Sequence, residues 1–282
     1  MDNQTFGGIE PELASFDFAQ VVLQSIPYDG TSTWGKGADK GFEALLEAAE
    51  NMELYDIETD TEVYKKGIHV LPAITEACSP ESMCEAVYQR TKELLLTDKR
   101  LTFFGGEHSV SIGIIRAMQE KYADISILHL DAHADLRPSY NGSTCNHACA
   151  LHKANAEGHV VSVGIRSMDS SEKEFVHYDR YFLAQDMAES ANWQNEVIHS
   201  LKEKVYITID LDVFDPSILP GTGTPEPGGL SWYNVLSLLQ KVFSKKLVKG
   251  FDIVELAPRK GEHQSEFLAA KLYYKMLSYW FE

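Results

Sequence analysis

Ile127-Leu128-His129-Leu130-Asp131-Ala132-His133-Ala134-Asp135 begins as an apolar run and ends with carboxylate and imidazole side chains at every second residue. An extended backbone sends alternate side chains to the same face, so Asp131 and His133 can converge on one point. Asp135 can join them as the chain turns off the strand. Runs of the same kind lie at Val21 to Leu23 with Ile26, Leu101 to Phe104, Ile125 to Leu130, Val160 to Val163, Val205 to Leu211 and Leu247 to Val254. Ile68 to Leu71 and Tyr181 to Leu183 are weaker candidates. Between the runs the apolar spacing predicts helices over roughly 39–52, 80–97, 109–121, 189–203, 231–244 and 262–280. Near-continuous apolar strands that alternate with helices predict an α/β fold, a parallel sheet with helices on both faces. The segment from Pro216 to Gly229, dense in Pro, Gly and Thr, follows a strand, where functional loops of such sheets lie. No repeat, low-complexity linker or long charge run divides the chain, so residues 1–282 are expected to form a single domain.

Composition narrows the function. Forty-two acidic residues against twenty-five basic ones give a formal net charge of −17. Such a field repels nucleic-acid phosphates and anionic lipid, so no nucleic acid and no membrane is expected as a partner. It favours cations, metal ions and amines among them. No stretch approaches the ~20 apolar residues of a membrane span, and Met1-Asp2-Asn3-Gln4 opens no secretory leader. The four cysteines do not make a disulfide framework, and a reducing, cytoplasmic setting is expected.

Three donor clusters sit at the carboxyl ends of expected strands. The first is Asp131, His133 and Asp135. The second is Asp210-Leu211-Asp212, and the third is Gly105-Gly106-Glu107-His108. The carboxyl ends of parallel strands are where an α/β sheet builds its site. His108, Asp131, His133, Asp135, Asp210 and Asp212 together offer two imidazoles and four carboxylates. Four carboxylates packed without cations would cost more than a fold can bear, and a pair of divalent ions would cancel them. Oxygen-rich donors without thiolate suit Mn²⁺, with Zn²⁺, Co²⁺ or Ni²⁺ as rivals. Two such ions can share a water and make hydroxide near neutral pH, a nucleophile for hydrolysis without serine or cysteine.

At this point the sequence resembles a known family. Phe104 to Ser109, Leu130 to Asp135, Thr208 to Pro216 and Gly221 to Leu230 are similar to the signature blocks of the ureohydrolases, and within them to the agmatinase branch. The likeness runs from Pro27-Tyr28-Asp29-Gly30-Thr31 to Asp252-Ile253-Val254-Glu255. It implies an arginase-like three-layer α/β/α fold with an eight-stranded parallel sheet and a dimanganese site, two Mn²⁺ per subunit. One ion would be held by His108, Asp131, Asp135 and Asp210. The other would be held by Asp131, His133, Asp210 and Asp212. The implied chemistry is attack of a metal-bridging hydroxide on a guanidinium carbon, with His147 shuttling a proton to the leaving amine and Glu255 pairing with the guanidinium. Asp135 joins these two in the catalytic set, and His152 is the fallback for the shuttle. Tyr140 and Asn141, in Leu136-Arg137-Pro138-Ser139-Tyr140-Asn141-Gly142, are expected to bind substrate. The resemblance implies agmatine as substrate, giving putrescine and urea, and a homo-oligomer, trimer or hexamer. The alternatives are guanidinobutyrate, guanidinopropionate, an N-substituted agmatine, arginine and formiminoglutamate.

The sequence departs from the family pattern at Gly41-Phe42-Glu43, at Ala257 and at Thr144-Cys145-Asn146, the last bearing on recognition of the substrate tail. Arg137 could grasp a substrate carboxylate or pair within its loop. Cys145-Asn146-His147-Ala148-Cys149 spaces two thiols and an imidazole as a zinc site would, without a fourth ligand nearby. Cys78 and Cys84, before or at the start of a helix, are expected to be ordinary buried residues. A single-zinc deacetylase, or a non-catalytic metal-binding relative, are rival readings. The paired Asp210 and Asp212 with His108 argue against the first, and the filled donor set argues against the second.

Overall fold

Six consecutive buried residues in Val21–Ile26 and six in Ile125–Leu130 leave neither strand a solvent face. A computed structural model describes residues 5–282. In it these segments are β1 and β4 of one sheet, with β2 (Ile68–Leu71), β3 (Arg100–Gly105), β5 (His159–Ile165), β6 (Tyr181–Leu183), β7 (Lys204–Asp210) and β8 (Leu247–Val254). All eight pair in parallel, in the order β2-β1-β3-β8-β7-β4-β5-β6.

Alternation along each strand divides the interior into two cores. Val21, Leu23, Leu128, Leu130, Ile207 and Ile209 face one layer, closed by α1 (Gly41–Ala49), α6 (Trp193–Ser200), α7 (Trp232–Lys245) and α8 (Gln264–Phe281). Val22, Ile26, Phe103 and Ile127 face the other, closed by α2 (Pro80–Leu94), α3 (Val110–Lys121) and α4 (His152–Glu157). The result is three layers, α/β/α. Two helix starts are written locally. Ser79 caps α2 ahead of Pro80, and Ser231 caps α7 while Asn234 reaches back to its N–H.

Two expectations need correction. The helix expected over 189–203 is α6, which starts later and ends sooner; α5 (Ala184–Glu189) precedes it, and Ser190-Ala191-Asn192 separates the two. There Ser190 Oγ accepts from the Asn192 N–H and Asn195 donates to Asn192 Oδ1, side-chain bonds that compete with the helical ladder. Cys78 is exposed rather than buried, because it precedes the Ser79 cap and lies off the core face of α2.

One ion cluster ties the 54–61 loop to the last helix. Lys275 Nζ, on α8, lies 3.0 Å from Asp56 Oδ1 and 2.5 Å from Glu58 Oε2, and the Lys275 and Asp56 side chains are almost wholly buried. Burial alone would raise the Asp56 carboxyl; the Lys275 hydrogen bond and two backbone N–H groups outweigh it and hold it low. Lys275→Ala leaves that carboxylate buried and unpaired, and should cost about 3–5 kcal/mol. The measurement is the urea midpoint at unchanged slope; a loss below ~1 kcal/mol would contradict the burial argument.

The sheet order matters for the site. β3 and β4 are consecutive in the chain, yet β8 and β7 lie between them. Four adjacent strands in the middle of the sheet therefore open their carboxyl ends into one crevice, at the point where the winding changes sense.

Candidate metal centre

Each donor is placed by its strand's exit. His108 follows β3 through Gly105-Gly106. A Cβ on Gly106 would stand 1.9 Å from the Tyr28 carbonyl oxygen, so only glycine allows the two backbones to meet there. Asp131 follows β4 without a break, and the chain stays extended beyond it. The Ala132 carbonyl accepts from the Arg166 and Ser167 N–H groups, and the Ala134 N–H donates to the Ser167 carbonyl at 3.2 Å. This keeps Asp131 and His133 on the same face. Asp135 then turns the chain with φ of +53°, a conformation a non-glycine residue adopts at a cost. Asp210 closes β7, and its Oδ1 accepts from the Asp212 N–H at 2.8 Å, which folds the next turn so that both carboxylates face the crevice.

The six predicted donors come together. Asp131 Oδ2, Asp135 Oδ2 and Asp210 Oδ2 lie 3.0, 3.2 and 3.5 Å from His108 Nδ1. Asp212 Oδ2 and Asp131 Oδ1 lie 2.9 and 3.6 Å from His133 Nδ1. Asp131 thus stands between the two imidazoles. His108 Nδ1 is buried and, for all the oxygens around it, has no partner in hydrogen-bond geometry. An orphaned imidazole nitrogen ringed by carboxylates is what a cation site leaves behind, so the residues present fit a metal. Among the described residues, the tight groups of donor atoms are His108, His129 and Asp131, and Asp131, His133 and Asp212. Neither includes a cysteine, which removes the zinc reading of Cys145 and Cys149.

The electrostatics point the same way. Burial by itself would lower both imidazoles, but carboxylates outweigh it: Asp131, Asp135 and Asp210 raise His108 well above its ordinary value, and Asp212 and Asp131 raise His133. Burial first, then neighbouring carboxylates, push Asp210 well above the usual range; burial also raises Asp212. Asp131 resists burial because His108, His129 and His133 surround it, and stays well below its ordinary value. Protons on the two imidazoles mark the points where this cluster demands positive charge. A metal must displace them, so its binding releases protons and strengthens as pH rises. Apparent affinity should therefore fall by up to about tenfold per pH unit for each proton displaced as pH drops from 8 to 6. Calorimetric titration with Mn²⁺ at several pH values checks the slope; affinity independent of pH would contradict the assignment.

Behind the donors lies a layer the sequence did not reveal. His108 Nε2 is 3.0 Å from Thr208 Oγ1, which donates to Asp252 Oδ1 at 2.6 Å, and Tyr206 OH donates to Asp252 Oδ2 at 2.6 Å. This chain fixes the ring so that Nδ1 faces the crevice. His129 Nε2 bonds Asp131 Oδ2 at 2.8 Å while its Nδ1 is 3.2 Å from Ser162 Oγ, so it orients a carboxylate with both nitrogens engaged. Arg166 donates to the carbonyls of Asp212 and Glu226 at 2.6 and 2.7 Å and pins the glycine-rich loop across the site. His129 and Asp252 did leave a trace, each a polar residue inside an apolar strand.

Of the other predicted residues, Glu255, His147 and Tyr140 border a cavity of about 300 Å³. Glu255 follows β8 with φ of +67°, and its Oε1 accepts from the His108 N–H at 2.9 Å. Burial and the nearby Glu107 push its carboxyl well above the usual range. His147 lies at the cavity wall, with Thr31 Oγ1 accepting from its backbone N–H and lying 3.0 Å from its Nδ1. Tyr140 stands edge-on to the His147 ring at 6.1 Å. Asn141 is exposed in the turn closed by Tyr140 and Ser143, with φ of +48°, and does not line the cavity. His152 points away, its Nδ1 bonded to the Leu136 carbonyl at 2.8 Å. Arg137 lies over the Tyr140 ring and pairs loosely with Asp169 and Glu172, at 3.7 and 3.9 Å. Asp169, absent from the sequence reading, is half-exposed at the cavity wall.

Comparison with known proteins agrees with this geometry. A sequence model described as "Arginase family" matches residues 19–278. The chain is 37% identical to an N(1)-aminopropylagmatine ureohydrolase of Synechocystis sp., covering 96% of this chain and 92% of that protein. It is 31% identical to an agmatinase of Pyrococcus horikoshii, covering 97% of each. The crystal structure of an agmatine ureohydrolase of Thermoplasma volcanium superposes with a TM-score of 0.88 at 28% identity, over 99% of this chain and 95% of that one.

Proposed function

Because the chain belongs to the arginase family and is an agmatinase-like ureohydrolase, we propose that it hydrolyses a linear guanidine with a cationic tail, agmatine in the first instance. The products are an amine and urea: water adds at the guanidinium carbon, the C–N bond to the alkyl nitrogen breaks, and that nitrogen leaves as an ammonium group. The observation that carries the reading is the meeting of two imidazoles and four carboxylates beside a cavity that ends on Glu255 and His147.

Two manganese ions per subunit would be held, one by His108, Asp131, Asp135 and Asp210, the other by Asp131, His133, Asp210 and Asp212. When bound, they supply Lewis acidity and a water acidic enough to ionise near neutral pH. The remaining work falls to the chain's own side chains. Glu255, a carboxyl held high for want of a cation, takes the substrate guanidinium and sets its carbon against the donor cluster. The carboxylates, Asp135 among them, stabilise positive charge as the planar carbon becomes tetrahedral. His147 delivers a proton to the departing nitrogen through the ring nitrogen opposite Thr31, since an alkylamine leaves poorly without one.

The tail reading rests on charge. Arg137 faces Asp169 and Glu172, whose negative charge opposes the approach of a substrate carboxylate. Asp169 gives an ammonium group a partner at the cavity's exposed side. A longer tail, as in N-aminopropylagmatine, is the second reading, favoured by that half-exposed carboxylate. Urea release from the manganese-loaded protein across a guanidine panel tests both. Agmatine or its N-aminopropyl derivative should exceed guanidinobutyrate and arginine by about fivefold in kcat/KM, the discrimination of ~1 kcal/mol a half-exposed charge partner gives. Fastest turnover of guanidinobutyrate or arginine would reject the proposal. The exposed Ile57, Tyr233 and Phe267, which border one surface hollow, support a homo-oligomer, trimer or hexamer, and the four free cysteines support a cytoplasmic setting. Among the described residues, no helix is long and apolar enough to cross a membrane.

A further inference from the structure

The loop from Arg137 to Cys149 is a partition one chain thick. Arg137, Tyr140, His147 and Ala148 border the cavity beside the donor cluster. Pro138, Thr144, Cys145 and Cys149 border a second, open cavity of about 820 Å³ on the other side. Cys84, on α2, borders that second cavity too, so three of the chain's four cysteines meet there. The loop already docks on the first turn of α2. Ser143 Oγ donates to Glu81 Oε1 at 2.5 Å, and the Cys145 N–H donates to Ser143 Oγ at 2.9 Å. Both the Cys145 and Cys84 side chains border that cavity and belong to the same core layer.

The two thiols differ in the way a reactive pair requires. Cys145 is half-exposed, and the Cys84 thiol beside it favours its thiolate, lowering it from the ordinary value. Cys84 is buried, its Sγ 3.5 Å from the Ser109 carbonyl oxygen, and the neighbouring Cys145, then burial, raise it. An accessible attacking thiolate beside a buried thiol is the arrangement of a cysteine with its resolving partner.

We propose that Cys84 and Cys145 form a dithiol modification site that closes to a disulfide by exchange with a small-molecule disulfide entering the open cavity, and that the bond slows turnover by displacing His147. The Cys145 thiolate attacks one sulfur of the disulfide RSSR, giving Cys145–S–S–R and RS⁻. The Cys84 sulfur then attacks the Cys145 sulfur, forming Cys84–S–S–Cys145 and releasing RSH with the Cys84 proton. The protein loses two electrons and the small disulfide gains them. The new bond draws the two sulfurs to about 2.05 Å. Cys84 sits in the packed core between Met83 and Val87, so the loop must yield, and His147 lies two residues along it. A displacement near 1 Å at the shuttle can cost about 10²-fold in rate.

The bond does not rest on the guanidine reading; its kinetic consequence does. Metal-loaded full-length protein is treated with 2-hydroxyethyl disulfide, blocked with iodoacetamide, and followed by peptide mass mapping and by urea release. The expected result is a Cys84–Cys145 linked peptide, a fall in kcat of at least about tenfold, and recovery of both in dithiothreitol. Cys84→Ser should stop at a mixed disulfide on Cys145, and Cys145→Ser should give no linked peptide, so failure of one variant to fold leaves the other. No linked peptide, or a Cys145–Cys149 link instead, would overturn the site. A Cys84–Cys145 link with unchanged kcat would overturn its coupling to His147. If untreated protein turned over no guanidine, the proposed function would fail while the mass map still judged the disulfide.

Discussion

Asp131→Asn should leave the fold intact and lower kcat/KM for agmatine by about 10³–10⁵-fold, because it removes the carboxylate that serves both donor groups. Asp131 is fully buried, with Oδ1 accepting from the His133 N–H at 2.6 Å and Oδ2 bonded to His129 at 2.8 Å. Asparagine keeps the shape and one oxygen. It replaces the other oxygen with an NH₂ that repels a cation and clashes with the His129 donor, and it removes a unit of negative charge between the imidazoles. Two metals lacking a shared anion repel each other, so at least one should be lost, and with it several kcal/mol of transition-state stabilisation, at ~1.4 kcal/mol per tenfold in rate. Elemental analysis should show fewer than two metals per chain. Full metal content with a rate within about tenfold of the parent would contradict the role given to Asp131.

The sheet was legible in the sequence because its strands are covered on both sides. An all-buried strand is largely apolar, and a run such as Ile125–Leu130, interrupted only by Ser126 and His129, admits few other readings. Even Ile68–Leu71 and Tyr181–Leu183, short and at the two edges, were visible between their turns. The helices were less so. Ser190-Ala191-Asn192 delays the start of α6 through local hydrogen bonds that apolar spacing does not register, and α4 is too short to show a period.

The donor set was legible for a related reason: each ligand sits within a few residues of a strand end, so chain position alone brings it to the crevice. The supporting layer is not encoded that way. Thr208 and Asp252 meet from neighbouring strands 44 residues apart in sequence, and Thr31 reaches His147 across 116. Such contacts depend on strand order, and the order β3-β8-β7-β4 is set by tertiary packing. Asp252 is the instructive case. A carboxylate within the apolar run Phe251 to Val254 should have raised the question of what satisfies it, and the answer, Tyr206, Thr208 and Ser111, is the scaffold behind His108.

His147→Ala should lower kcat by about 10²–10⁴-fold, the range of a lost general acid–base group, with KM changed far less. The argument is positional. Thr31 holds the residue twice, by its backbone N–H at 3.0 Å and by Nδ1 at 3.0 Å. One ring nitrogen is therefore tethered, leaving the other for the departing amine. Thr31→Val keeps the volume, loses both tethers, and should cost about tenfold in kcat, less than removal of the ring because the proton donor survives out of place. Added imidazole should restore part of the His147→Ala rate and do nothing for the parent protein, a response that packing damage would not give. The arm of the pH–rate profile carried by this imidazole should vanish in His147→Ala and persist in Thr31→Val. Were kcat of His147→Ala within about threefold of the parent, a group other than this imidazole would be delivering the proton, and the fixed ring beside Thr31 would be a structural contact.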